Sequence, residues 1–285
     1  MAITIHFFRN RNLKRIEYDK LISYFTDMPS FRRYDADDFV ELLNLDENFE
    51  LSYRFLITKR SRVNSIYNLS PDFVNINFLL EFPLLIPSVM VREILKLTQE
   101  MCKIFELETY YNGIQNIEPF NMVKLINYFE TERMLYLEKN KVVDKYFFNK
   151  DKLSTICKFQ QNIDNLRDIY KDDYKVNRYK IMVNPNNDDV VISVGWQLGT
   201  PMVFPPYLTH VQIEDDNNLP IMIPADIFFK YTSKYLTEVK EFLPEMYLLK
   251  AKQAQKVKKY LRKFKKESIP ANFYKVIRIS DLLEE

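Results

Sequence analysis

Two histidines and two cysteines are all that this 285-residue chain offers to a nucleophilic mechanism or a transition metal. His6, Cys102, Cys157 and His210 lie far apart, with no CxxC, HxH or HExxH spacing that would bring two of them onto one ion. No zinc site is expected. A Ser–His or Cys–His pair needs a base in contact with the nucleophile, and only His6 and His210 are available. Each falls on the polar phase of a short alternating strand, where an exposed or hydrogen-bonded structural histidine accounts for it. Both cysteines sit in helix-like apolar patterns and read as buried free thiols. The acidic clusters Asp35-Asp37-Asp38 and Glu214-Asp215-Asp216 lack the glycine of an EF-hand loop and read as solvated turns. No catalytic residue, metal or cofactor is expected, and the reading leans away from an enzyme.

Glycine scarcity excludes more chemistry. The chain has three glycines, where average usage would give roughly 20. A P-loop or dinucleotide fingerprint is therefore impossible. Turns needing positive φ must fall on Asn and Asp, as at Asn184 to Asp189 and Asp215 to Asn218. Gly195 and Gly199 nonetheless flank the only tryptophan, Trp196, with Pro201, Pro205, Pro206, Tyr207 and His210 close behind. One reading is a small-molecule or enzymatic groove lined by Gly195, Trp196, Gly199, Tyr207 and His210. The other is a strained hairpin around a core tryptophan.

The sharpest pattern is cationic. Lys250 to Lys266 carries nine Lys or Arg and no Asp or Glu, in a chain whose net charge is +2, so the remainder stands at −7. At 100° per residue, Met246, Leu249, Val257, Tyr260, Leu261 and Phe264 share one face of a helix. Lys252, Lys256, Lys258, Lys259, Arg262, Lys263, Lys265 and Lys266 cover the other, and Lys250 falls on the apolar side. Four roles compete for this helix: docking on the chain's own acidic body, docking an acidic protein partner, binding RNA or DNA phosphates, and lying on an anionic membrane surface. The residues taken as partner- or nucleic-acid-binding are Lys252, Lys256, Lys259, Arg262, Lys263 and Lys266, with a smaller patch at Lys59, Arg60 and Arg62.

The elements that must position these residues are mixed. Alternation marks strands from Ile3, from Phe49 to Ile57 and from Val74 to Phe82, the last being the strongest strand pattern. Helical spacing marks Tyr18 to Phe25, Ser88 to Leu107, Phe120 to Leu137 and Leu153 to Tyr170. From Tyr174 the chain turns to hairpins, with strands near Tyr179, Val190, Tyr207 and Leu219. A helix from Ala225 to about Phe242, a break at Pro244, a second helix from Glu245 to Lys266 and a strand from Phe273 to Ile279 complete the reading. Phe82 to Ser88 and Leu219 to Ala225 share a pattern in which one proline ends a strand and a second opens a helix.

The expected architecture is α+β: two modules, each a mainly antiparallel sheet covered by helices, with the cationic amphipathic helix near the C-terminus. Residues 1–140 would form the first module, 141–172 a connecting helix, and 173–285 a module of hairpins and a helical hairpin. The apolar stretch Phe73 to Val91 holds Glu81, Pro83 and Pro87 and cannot span a bilayer as a helix, and no signal peptide precedes the first strand. The cytoplasm is the expected compartment. The expected function is a non-catalytic interaction protein, a subunit or adaptor of a larger assembly, with nucleic-acid binding through the same helix as the alternative.

Overall fold

The computed structural model describes residues 1–285 apart from 65, 172, 216, 217, 240 and 241, and apart from the side chain of 218. The chain is mixed α+β and divides into two compact units, Met1–Lys145 and Tyr146–Glu285.

The first unit runs β1 (Ala2–Asn10), α1 (Tyr18–Thr26), β2 (Phe31–Asp35), β3 (Phe39–Asp46), β4 (Leu51–Thr58), β5 (Phe73–Pro83), α2 (Ser88–Phe105), β6 (Glu108–Tyr110), β7 (Glu118–Pro119) and α3 (Met122–Lys139). Its strands form one antiparallel sheet in the order β2-β3-β4-β5-β1-β6-β7. Leu21 and Phe25, one turn apart, bury α1 against it, with the Phe25 and Phe55 rings 4.4 Å apart. Phe55 stacks on Phe78 at 5.5 Å, and Phe7 completes the cluster. The Asp35-Asp37-Asp38 run lies at the exposed tip of the β2–β3 hairpin, where Arg33 holds Asp35 at 2.8 Å.

Two local departures matter. His6 is buried, not exposed, because β1 lies between β5 and β6 and Ile5, His6, Phe7 and Phe8 are all covered. Alternation in a central strand no longer separates solvent from core. The β1–β5 ladder also slips between Phe7 and Phe8, leaving Ile76 and Asn77 out of register, and Asn77 takes φ +50°. The Tyr18 hydroxyl donates to the bulged Ile76 carbonyl at 2.7 Å.

The second unit runs β8 (Tyr146–Phe148), α4 (Lys150–Gln161), α5 (Ile163–Tyr170), β9 (Lys175–Val176), β10 (Tyr179–Val183), β11 (Val190–Gln197), β12 (Met202–Phe204), β13 (His210–Asp215), β14 (Asn218–Pro224), α6 (Ala225–Thr232), β15 (Leu236–Val239), β16 (Met246–Leu249), α7 (Ala251–Val257), α8 (Leu261–Lys266), β17 (Ile269–Pro270), β18 (Lys275–Ile277) and β19 (Leu282–Glu284). The order β17-β14-β13-β11-β10-β18 makes the main sheet, antiparallel except at β11–β13. A smaller sheet, β15-β16-β12-β9, has strands interleaved in sequence with those of the main sheet, and the parallel pair β8–β19 joins the two ends of the unit.

Several expected elements change here. The helix from Ala225 ends at Thr232, and the helix expected from Glu245 begins at Ala251. Residues 236–239 and 246–249 instead form an antiparallel hairpin around Pro244. Met246 and Leu249, spaced like a helical face, are buried at the two ends of a four-residue strand. The expected Leu153–Tyr170 helix splits at Asn162 into α4 and α5. Pro87 and Pro224 both occupy N-cap positions, one residue before the place expected. Positive φ falls on Asn77, Asp144 and Asp188, but also on Glu50, Glu106, Tyr207 and Glu245, so bulkier residues share the burden of missing glycine.

Burial pushes the His6 pKa down to about 4, the nearby Glu81 carboxylate opposing the shift and Arg62 adding to it. The folded pKa is below the unfolded value of 6.5, so the unfolded chain takes the proton first. This contribution is complete above pH 6.5 and is lost as pH falls toward 4, amounting to about 3 kcal/mol. Burial lowers His210 in the same direction. Urea unfolding followed by far-ultraviolet circular dichroism should show this loss, and His6→Gln should flatten the slope between pH 4 and 6.5. An unchanged slope in the variant would refute the assignment.

Candidate binding surfaces

The basic stretch is built as α7, a 3-10 turn at Lys258–Tyr260, and α8. Ala254, Val257 and Phe264, at helical spacing, are fully buried, and Tyr260 and Leu261 are partly so. Phe264 packs on Phe228 at 5.7 Å, and Phe228 packs on Trp196 at 5.7 Å. With its apolar side committed, the segment has one face left. Lys250, Lys252, Lys256, Lys258, Lys259, Arg262, Lys263, Lys265 and Lys266 are all exposed. Among the described residues, none of the nine makes an ion pair with a carboxylate.

Two of the nine do rest on aromatic rings. Lys259 Nζ lies 5.2 Å from the Tyr260 centroid and 5.8 Å from that of Tyr235. Lys263 Nζ lies 5.0 Å from Tyr231 and 5.7 Å from Tyr260, while Lys234, outside the segment, lies 5.3 Å from Tyr235. Tyr231 and Tyr260 stack at 5.5 Å. Hydrogen bonding with Tyr260, and then with Lys259, lowers the Tyr235 phenol below its usual range. These solvent-exposed contacts leave the positive charges uncancelled. The spacing of Tyr231 and Tyr235, four apart on the approach to the segment, is the trace of this cluster that the sequence carries.

Lys59 and Arg60 are exposed in the loop after β4, in the first unit. Arg62 is not free: its Nη1 lies 3.5 Å from Glu81, which also pairs with Arg54 at 2.7 Å. The basic residues singled out in sequence thus belong to two different units.

The five groove residues have different surroundings. Trp196 is fully buried and donates its indole N–H to the Thr200 carbonyl at 2.9 Å, so it is a core residue. Gly195 leaves room for the Lys180–Glu214 ion pair, since a Cβ there would lie 2.7 Å from Glu214 Oε1. Gly199 has φ +84°, accepts from Gln255 Nε2 at 2.9 Å, and lies under the Lys258 stem. It seats the basic segment. His210 lies 5.7 Å from the Tyr274 ring, with Nδ1 3.1 Å from Thr209 Oγ1. Tyr207, at φ +55°, lines a cavity of about 480 Å³ with Pro205, Phe229, Tyr247, Lys152 and Glu245.

Cys102 and Cys157 are buried free thiols, and burial raises both pKa values far above the ordinary thiol range. Among the described residues, no group of three or more His, Cys, Asp or Glu is placed to share a metal ion. Asp216, a member of one acidic cluster, lies outside the described residues. Among the described residues, no helix is long and apolar enough to cross a membrane.

Gly199→Ala should destabilise the second unit by about 1–2 kcal/mol through its left-handed backbone. Urea unfolding read by Trp196 emission measures this. Adding Lys258→Ala removes the steric contact but not the strain, so recovery of full stability in the double variant would contradict the backbone account. The chain matches no protein-family model, no curated protein and no solved structure.

Proposed function

We propose that this chain is a non-catalytic interaction protein, a subunit or adaptor of a larger assembly, that docks an acidic protein partner through residues 250–266. One observation carries the reading: nine exposed cations, without a carboxylate partner among the described residues, on a segment whose other face is sealed into a core. A segment anchored through a buried face has less ordering left to lose on association. Fields of one sign also accelerate encounter with a complementary surface. The buried thiols support a reducing compartment such as the cytoplasm.

A second reading, RNA or DNA binding, rests on the lysines lying over Tyr231, Tyr235 and Tyr260. Proteins that hold single strands combine cations with stacking rings in this way.

The test compares a fluorescent poly-glutamate peptide with an oligo-uridine of matched charge, using the full chain and anisotropy. Lys252, Lys256 and Lys266, which touch no ring, are reversed together to Glu. Poly-glutamate should bind at low salt and weaken at least about tenfold in the variant. Equal retention by the variant would remove the basic segment from the account. Binding of oligo-uridine with no binding of poly-glutamate would replace the leading reading by the second.

A further inference from the structure

A cavity in the first unit carries charge of one sign only. It has a volume of about 640 Å³ and lies beside the first residues of β5, the loop after β4 and the residue following β1. Arg11, Lys59 and Arg60 line it, and among the described residues no carboxylate does. All three are exposed, and among the described residues none is ion-paired. Two acidic residues come close to these cations through their main chains. Asp38 accepts the Lys59 N–H and Asp72 the Arg11 N–H through main-chain carbonyls, and the Asp72 carboxylate takes the Ser70 hydroxyl.

Two further features shape the cavity. Asn75, on the lining, borders the β5 bulge, and Asn77, also on the lining, lies within it with a left-handed backbone. Bulges of this kind re-aim side chains beside binding sites. Asn75 is fixed from both ends, its Nδ2 donating to Ser61 Oγ at 2.7 Å and its Oδ1 accepting from Asn77 N–H at 2.8 Å. Tyr67 also lines the cavity and is 97 % exposed, an aromatic ring offered to solvent beside three cations.

We propose that this cavity binds a nucleoside phosphate, with Arg11, Lys59 and Arg60 holding the phosphate and Tyr67 stacking on the base. The volume falls within the range of small-ligand sites, and the wall is mixed, with apolar Phe8, Ile66 and Phe73 behind the polar rim. A phosphate alone would use the cations but leave Tyr67 without a role. The nucleoside phosphate is either free or one residue of a single strand, and the chemistry is shared. This site is independent of residues 250–266.

Tyr67→Trp keeps a stacking ring and adds a fluorophore at the cavity, while the buried Trp196 supplies a constant background. Uridine monophosphate should quench the Tyr67→Trp chain saturably, and inorganic phosphate should compete. Lys59→Glu with Arg60→Glu in that background should weaken binding at least tenfold. A short oligo-uridine that binds tighter than the monophosphate identifies a strand as the source, with log K falling against log salt at a slope of about −2 for three contacts. Equal affinities identify the free nucleotide. No saturation below about 10 mM monophosphate, quenching indifferent to the two reversals, or tighter binding of a phosphoserine peptide would each overturn the proposal.

Discussion

Burial of Val257 and Phe264 beneath the basic segment governs what the second unit presents to its surroundings. Each such side chain contributes about 1.5–3 kcal/mol by leaving water, and the aromatic contacts from Phe264 through Phe228 to Trp196 add geometric definition. Once those positions point inward, helical geometry leaves the lysines only one direction. Their mutual repulsion is tolerated because solvent screens charges beyond about 8–10 Å at ordinary salt. The same anchoring explains Gly199: the chain must turn tightly under the Lys258 stem, and a left-handed backbone makes room.

The two basic groups differ in kind. Residues 250–266 place cations along two short helices and the turn between them, with tyrosine rings under two of them. Arg11, Lys59 and Arg60 line a concavity whose floor is set by a bulge in a central strand. Arg62, two residues past Arg60, has a different surrounding: it turns to Glu81 and joins Arg54 there.

Much of this was legible from residue pattern. The central strands, α1, α2 and α3 follow the periods of their apolar residues, and the segregation of nine cations needs no coordinates. Two things were hidden. Met246 and Leu249 repeat at helical spacing, yet strand pairing with β12 and β15 claims them, because a four-residue window cannot separate the two periods. The Arg11–Lys59–Arg60 cavity joins residues nearly fifty positions apart through the β1–β5 pairing and could not be assembled from local sequence.

The pairing of β8 with β19 gives the second unit a particular response to pulling. The two strands run parallel, Tyr146 beside Leu282 and Phe148 beside Glu284, and the Glu285 N–H reaches the Phe148 carbonyl at 3.1 Å. Tension applied across this unit enters at one end of the pair and leaves at the other. The inter-strand bonds are then sheared together along the strand axis instead of being peeled apart singly. The first and last strands of the unit thereby act as a mechanical clasp, which resists stretching better than its three-residue length suggests.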